Sequence, residues 1–260
     1  FKGTITENGC RESKIAKALY VLERDGSIKA MLITHVDDLC WAAVPEYEDA
    51  MQSILEAFKV RKVEETKFRF CGKEVEQNKH FDISVTCVDA TENIGGIKYS
   101  VAGRKPSDRA TESEIAQMRS VIGSLGWIAR QSRPDLSYMV SKLQGAVSKA
   151  TVKDLKETNQ ALSQAHEYSK SGITWHANAI KWDNAVIVTI TDASFANETV
   201  IEADGTEKPH RTQKAFMNLL VDPAILKDGK NAGCHVWAWR SLTDKRVCRA
   251  TLQGEAHGML

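Results

Sequence analysis

The period of the hydrophobic residues changes twice along this chain of 260 residues, and this change constrains the fold more than any other feature. Up to about residue 88, and again from residue 186, apolar residues stand in short blocks that are typical of β-strands. Between residues 113 and 172 they recur every three or four positions, as on one face of a helix. This order predicts an α+β fold in which a helical region connects two strand-rich regions.

The first strand-rich region predicts three antiparallel strands in series. Residues 18–23 and 28–34 are separated by Asp25-Gly26, which is one of the strongest hairpin signals. A second break at residues 35–38 leads into a third strand over residues 39–44. The second turn therefore carries two adjacent acidic residues.

A helix is expected to start at Pro45, because Pro is favoured at the first helical position. Residues 68–75 and 81–88 then predict another hairpin, and residues 89–112 a connector with at most one short strand. Helical spacing begins at Ser113. Breaks at Arg133-Pro134-Asp135 and at Thr151, which is a good N-cap, divide the helical region into three helices that end before Gly172.

The last region predicts three strands followed by a helix, with one acid on the first strand and one on the helix. The acids are Asp192 and Glu255. The first strand is nearly unbroken apolar sequence over residues 186–190, which is typical of a central strand covered on both faces. The other strands are expected over residues 215–221 and 235–240, and the helix from Thr251 onward.

Asp37 and Asp38 are the sharpest feature of the first half of the chain. One Asp in a hairpin turn is explained by local hydrogen bonds to backbone amides. Two adjacent carboxylates at the tip of a tight turn repel each other unless a cation lies beside them. Apolar strands on both sides would hold the pair rigidly at the rim of a sheet, which suits a magnesium ion that clamps nucleotide phosphates.

The segment around this acidic pair resembles the reverse transcriptase of copia-type retrotransposon polyproteins. His35-Val36-Asp37-Asp38-Leu39 is similar to the Tyr-x-Asp-Asp box of reverse transcriptases. Phe70-Cys71-Gly72 is similar to the Phe-Leu-Gly of the copia-type family. Ile122-Gly123-Ser124-Leu125, followed by Arg133-Pro134-Asp135, matches its Ile-Gly-Ser-Leu and Arg-Pro-Asp signature.

Three further motifs extend the resemblance to the ribonuclease H domain of the same polyprotein. Thr191-Asp192-Ala193-Ser194-Phe195-Ala196 matches the Asp-Ala-x-(Trp or Phe)-Ala box, and Arg211-Thr212-Gln213 resembles the Arg-Ser-Gln that follows it. Ala250-Thr251-Leu252-Gln253-Gly254-Glu255 resembles the Ser-Thr-x-x-x-Glu box. The motifs are colinear and span nearly the whole chain, so together they are more specific than any one of them.

The resemblance implies three parts: the C-terminal part of a reverse transcriptase palm over residues 1–110, a helical thumb and connection over 111–172, and the start of a ribonuclease H-like βββα unit over 173–260. Asp37 and Asp38 would be metal-binding catalytic residues of the polymerase, and Asp192 and Glu255 those of the nuclease, each set with Mg²⁺ in a two-metal site. The implied partners are an RNA template, a DNA primer, an RNA:DNA hybrid, deoxynucleotides and other parts of the polyprotein.

Several departures leave alternatives open. His35 and Cys71 replace the usual Tyr and Leu, and the third acid of each site would lie before Phe1 or after Leu260, so neither Mg²⁺ site is complete in this chain. Whether the chain is an active enzyme is therefore uncertain. The main alternative is a non-catalytic, degenerate or domesticated remnant that binds nucleic acid or protein. An unrelated magnesium phosphohydrolase built on Asp192 and Glu255 would leave the first half unexplained.

Composition excludes some partners and predicts the setting. The net charge is +1, so nucleic-acid binding needs a local basic groove. The basic residues of the connector and helices are candidates for it, or part of an ordinary solvated face: Arg104, Lys105, Arg109, Arg119, Arg130, Arg133, Lys142, Lys149 and Lys153. The six cysteines have no zinc-ligand spacing, so we expect reduced thiols and no structural zinc site. His257 is expected to be a surface or capping histidine and not a site residue. No apolar run approaches a membrane span, so we expect no membrane partner and an intracellular location, cytoplasmic or nuclear.

Overall fold

The computed structural model describes residues 2–201, 207–227, 231–244, 248 and 250–259, without the side chains of residues 195–201 and 207–211. Phe1, Leu260 and the side chains of Phe195, Ala196 and Arg211 therefore lie outside the described part. The chain is an α+β protein whose described residues form three small antiparallel sheets and seven α-helices. It divides into two compact units, Phe1–Cys71 and Gly72–Leu260, so that the boundaries expected after residues 110 and 172 both fall within the larger unit.

The smaller unit is a four-stranded sheet with helices, and its three predicted strands are confirmed. Strand order in the sheet is β1-β2-β3-β4, with antiparallel neighbours. Asp25 and Gly26 both have positive φ, at 51° and 72°, as a two-residue type I′ turn requires. A 3₁₀ turn over Pro45–Tyr47 leads into the predicted helix. The elements are α1 Lys2–Glu7, β1 Arg11–Glu12, β2 Leu19–Arg24, β3 Ser27–His35, β4 Asp38–Ala43, α2 Glu48–Ala57 and β5 Lys67–Phe70.

The larger unit contains two further sheets with helices α3 to α6 between their strands in sequence. Strands β6, β7 and β8 are antiparallel neighbours, and β9, β10 and β11 form a meander that is followed by α7. The elements are β6 Lys73–Gln77, β7 Ile83–Thr86, α3 Val88–Glu92, α4 Glu112–Gln131, α5 Ser137–Ala146, α6 Val152–Glu167, β8 Ile173–Trp175, β9 Val186–Ile201, β10 Glu207–Val221, β11 Cys234–Thr243 and α7 Thr251–Gly258. No helix in the described ranges is both long enough and apolar enough to cross a membrane.

Two sequence expectations about the region from 68 to 112 need correction. The strand expected over residues 68–75 is broken at Cys71 and Gly72, where φ is +50° and +76°. A short helix, α3, stands where a connector was expected. Its first amides are capped from outside the local sequence, because the Glu74 carboxylate accepts from the backbone N–H of Val88 at 2.8 Å. A cap from a distant strand leaves no local signal.

Helices α4 and α6 begin at capping boxes, as the sequence indicates for Thr151. The Glu114 backbone N–H donates to the Thr111 hydroxyl at 3.3 Å, and the Glu114 carboxylate accepts from the Thr111 backbone N–H at 2.8 Å. The Asp154 carboxylate accepts from the Thr151 backbone N–H at 2.7 Å. Each box satisfies backbone groups that an isolated helix start leaves without partners. The apolar faces of α4, α5 and α6 then form the main core of the larger unit.

The Arg133-Pro134-Asp135 motif has a structural role in this core. Arg133 is only 2% exposed, and its guanidinium donates to both carboxylate oxygens of Asp135 at 2.9 and 2.7 Å. Its third nitrogen donates to the backbone carbonyls of Ala165 and Tyr168, at 3.3 and 2.7 Å, at the C-terminal end of α6. Arg133 therefore ties the break after α4 to the end of α6, which excludes it from a solvated basic groove.

The prediction that residues 186–190 form a strand covered on both faces is wrong. In the described part of the sheet the order is β11-β10-β9, which puts β9 at an edge. Ile187 and Ile190 are 59% and 53% exposed. An unbroken apolar run shows that a segment favours a strand, but how many faces are covered depends on which elements later pack on it.

Candidate functional site

The structure places Asp37 and Asp38 at the exposed tip of the β3–β4 hairpin. His35 pairs with Asp38 across the hairpin, so Val36 and Asp37 are the two loop residues. Both carboxylate residues are exposed. Val36 is 80% exposed and has a φ of +51°, which is a rare conformation for a β-branched residue. The turn is therefore held in a conformation that its own sequence disfavours.

The body of the hairpin fixes this tip. Leu32 and Ala30 of β3 are buried in the core of the smaller unit with Met51 and Ile54 of α2. The His35 ring meets the Phe70 ring edge-on, with 6.4 Å between centroids and 71° between ring planes. The apolar core on one side and the aromatic contact near the turn thus position the acidic pair. Among the described residues no side chain forms a hydrogen bond or ion pair with Asp37 or Asp38.

Asp192 and Glu255 come from adjoining elements, because α7 lies on β9. A methyl group placed on Gly258 would lie 3.9 Å from the Ala193 Cβ and 4.0 Å from the Thr191 Cβ. Ala193 and Thr191 therefore face α7. Since side chains alternate along a strand, Asp192 points to the opposite face of the sheet.

A cavity of about 240 Å³ occupies that opposite face. Its walls include Asp135, Tyr138, Asp192 and Trp239. The Trp239 indole N–H donates to the backbone carbonyl of Ala129 at 2.8 Å, which ties this face of the sheet to α4. Asp192 thus lines a recess beside α5, whereas Glu255 is half-buried on α7.

Gln213 of the Arg211-Thr212-Gln213 motif also lies on this face, and it is buried in a hydrogen-bond network. Its amide nitrogen donates to the hydroxyls of Ser141 and Ser241, at 3.1 and 2.7 Å, and its amide oxygen accepts from Thr243 at 3.0 Å. The network links α5 to two neighbouring strands. Gln213 therefore has an architectural role that accounts for its burial.

A third group of reactive side chains lies where the end of β11 meets the last turn of α7: Asp244, Cys248 and His257. The Nδ1 atom of His257 is 2.8 Å from Oδ2 of Asp244 and 3.6 Å from Sγ of Cys248. One ligand atom from each of the three residues lies within 4.8 Å of the other two. Asp244 and Cys248 are buried and His257 is nearly so. We call these three residues the Asp–Cys–His cluster.

Lys214 of β10 is a basic residue that contacts the cluster. Its ammonium donates to the backbone carbonyl of His257 at 2.6 Å and lies 4.0 Å from Oδ2 of Asp244. The Asp244 backbone N–H donates to the Thr212 carbonyl at 2.7 Å, which fixes Asp244 beside β10. Strand β10 thus holds both ends of the segment that carries the cluster.

Sequence reasoning missed this cluster, because it treated His257 as a surface or capping histidine, whereas the structure places it beside Asp244 and Cys248. Three residues lie between Asp244 and Cys248 and eight between Cys248 and His257, and neither spacing is a recognised zinc signature. They meet because α7 lies on β9 and β10, which brings His257 back to the end of β11. The chain offers one weak signal, which is that a Cys, an Asp and a His stand within fourteen positions of one another.

The basic side chains proposed for a groove are partly committed to other partners. The Arg104 guanidinium donates to both carboxylate oxygens of Glu114 at 2.7 and 3.1 Å. The Lys142 ammonium donates to the Glu157 carboxylate at 3.0 Å. These residues together with Arg133 contribute to packing between the helices and the connector.

Comparison of the chain with protein-family models, with curated proteins and with solved structures finds no match.

Proposed function

We propose that this chain is part of a copia-type retrotransposon RNA-directed DNA polymerase with ribonuclease H, which transfers phosphoryl groups on RNA and DNA with Mg²⁺. The observation that carries the proposal is the Asp37–Asp38 pair, which stands exposed at the tip of a two-residue turn on a hairpin whose Ala30 and Leu32 are buried in the core. The colinear motifs from His35 to Glu255 add to it. None of this depends on the Asp–Cys–His cluster.

The Asp37–Asp38 pair has the chemistry that Mg²⁺ requires. Mg²⁺ takes oxygen ligands and is usually held by one or two carboxylates together with substrate phosphates. Bound there, the ion would neutralise charge on the transferring phosphoryl group. The role of the chain is to hold two carboxylates together at a fixed place. The strained Val36 turn and the anchoring of β3 in the core through Ala30 and Leu32 serve this role. The primer, template and deoxynucleotides would lie over the hairpin tip.

The ribonuclease H part of the proposal is supported by the order of elements. Three antiparallel strands and a helix follow one another as β9, β10, β11 and α7, with Asp192 on the first strand and Glu255 on the helix. In the proposal these acids hold Mg²⁺ ions that activate water against the RNA strand of an RNA:DNA hybrid.

A specific observation favours the second candidate, a non-catalytic remnant that binds nucleic acid or protein. The alternation along β9 turns Asp192 away from the face on which α7 carries Glu255. A metal shared by both acids requires their side chains to converge at the sheet edge. The remnant therefore remains the alternative that each experiment must separate from the enzyme.

The polymerase test is magnesium-dependent primer extension by the protein produced from the complete reading frame that contains this chain. Asp38→Asn is expected to reduce extension at least 100-fold, because it removes a charged metal ligand at the reacting phosphate. Asp25→Asn is the matched control, since Asp25 occupies the other hairpin turn of the same sheet. Equal extension by wild type and Asp38→Asn, or no extension with Mg²⁺, would refute the polymerase proposal.

The nuclease test uses the same protein and a labelled RNA:DNA hybrid. Asp192→Asn and Glu255→Gln are each expected to abolish cleavage while hybrid binding, measured by fluorescence anisotropy, persists. Asp183→Asn, at an exposed position just before β9, is the control. Binding without cleavage by wild type would instead support the remnant.

A further inference from the structure

We propose that the Asp–Cys–His cluster binds a zinc ion. The cluster combines the carboxylate of Asp244, which follows β11, the thiol of Cys248 and the imidazole of His257 in α7. Thiolate and imidazole are typical zinc ligands, whereas Mg²⁺ prefers oxygen ligands. This site is therefore distinct in its chemistry from the acidic pair at the β3–β4 turn.

The distances are close to those of a tetrahedral site. Zinc bonds of about 2.0–2.3 Å at tetrahedral angles place two ligand atoms roughly 3.3–3.7 Å apart. The separation of 3.6 Å between the Cys248 Sγ and the His257 Nδ1 already falls in that range. The separation of 2.8 Å between the His257 Nδ1 and the Asp244 Oδ2 is that of a hydrogen bond. Zinc would take the place of this shared proton and widen the contact by about half an ångström.

The same geometry argues against a nucleophilic cysteine assisted by His257. In such a site the nucleophile and the orienting carboxylate contact different nitrogens of the imidazole. Here the carboxylate and the thiol both approach Nδ1, and the single proton on this nitrogen can form a hydrogen bond with only one of them. A metal ion between the three atoms is bound by all of them at once.

The charges of the cluster match those of a zinc ion. A thiolate and a carboxylate together balance the two positive charges of zinc, and the imidazole binds as a neutral ligand. The Lys214 ammonium, 4.0 Å from the Asp244 carboxylate, balances that carboxylate when no metal is bound. When zinc binds the Asp244 carboxylate, the hydrogen bond from Lys214 to the His257 carbonyl still holds the ammonium against α7.

A zinc ion here would fasten α7 to the meander. Asp244 follows β11 directly, and its backbone amide is bonded to Thr212 of β10. His257 stands in the last turn of α7, whose glycines Gly254 and Gly258 lie on β9 and β10. Three protein ligands leave the fourth tetrahedral position for water or another group, as in sites that are not purely structural.

The test is metal binding by the purified chain, first with Zn²⁺ against a chromophoric chelator and then with Co²⁺ as a spectroscopic substitute. We expect one Zn²⁺ per chain and a thiolate-to-cobalt charge-transfer band in the near ultraviolet. Cys248→Ser should remove the band and weaken zinc binding at least tenfold. Cys234→Ser is the matched control, because Cys234 is an exposed thiol on the same strand that precedes the cluster.

A second variant, Asp244→Asn, keeps a group of the same size beside His257. It tests the site independently in case Cys248→Ser does not fold. It should weaken zinc binding with an unchanged circular dichroism spectrum. No stoichiometric zinc binding by wild type, or a charge-transfer band that survives Cys248→Ser and disappears in Cys234→Ser, would overturn the proposal. Primer extension depends on Mg²⁺ at other residues, so failure of either proposal is distinguishable from failure of the other.

Discussion

Replacing Arg133 should destabilise the larger unit more than any other single change to its charged residues. Arg133→Ala removes two hydrogen bonds to Asp135 and two to carbonyls at the end of α6. Hydrogen bonds that involve a charged group contribute about 1.5–3 kcal/mol each, and they are not additive. Removing one partner of a buried ion pair costs about 3–5 kcal/mol.

The expected loss lies near the lower end of that range. Asp135 is 47% exposed, so water replaces part of the interaction when the guanidinium is removed. The Ala165 carbonyl belongs to a fully buried residue and has no such access to solvent. We therefore expect Arg133→Ala to lower the free energy of unfolding by about 3 kcal/mol. Arg133→Lys should lose roughly half of this, because a single ammonium cannot reproduce the bidentate contact with Asp135.

Urea unfolding followed by far-ultraviolet circular dichroism and by tryptophan fluorescence measures this free energy, with extrapolation to zero urea. Coincident transitions from both signals show that the larger unit unfolds in one step. Arg130→Ala is the matched control, because Arg130 is exposed on α4 three residues earlier and should change stability by less than about 0.5 kcal/mol. A loss in Arg133→Ala no greater than that of the control would refute the assigned anchoring role.

Two further predictions concern the helices and the second sheet. The hydrogen bonds from Arg104, and then from the Thr111 backbone, lower the pKa of Glu114 to about 2. The ionised Glu114 therefore stabilises the fold fully above its ordinary pKa near 4.5, and this stabilisation is lost as the pH falls towards 2. At pH 7 the free energy of unfolding of wild type should exceed that of Glu114→Gln by on the order of 2–3 kcal/mol. This difference should be smaller at pH 3. A gap in urea unfolding that is equal at both pH values would contradict this. A methyl group on Gly172 would lie 2.1 Å from the Val85 carbonyl oxygen, whereas one on Gly123 of α4 meets nothing within 4 Å. Gly172→Ala should therefore lose about 1–3 kcal/mol and Gly123→Ala should gain about 0.5–1 kcal/mol; thermal unfolding midpoints that move in the same direction would show the local contacts to be wrong.

Local patterns in the sequence were sufficient for most of the elements. The Asp25-Gly26 turn, the break at Pro134 and the Thr151 cap are signals within a few residues of the structure they specify, and the structure has each of them. The strands and helix at the end of the chain also stand where their apolar runs and order predict them. The Asp37–Asp38 turn was placed correctly between two strands, because the apolar runs before and after it are interrupted at residues 35–38.

What the sequence determined by itself is the α+β order of elements and the position of each candidate acid on a strand, turn or helix, since these depend on neighbours along the chain. Tertiary structure alone decided that β9 is an edge strand, that Asp192 turns away from α7, and that Arg133 is buried against the carbonyls of α6. It also decided that Asp244, Cys248 and His257 meet. Each of these facts depends on which surfaces come together after the elements have formed. A helix cap, a covering element or a metal ligand that comes from a distant part of the chain leaves no local pattern in the segment that it contacts.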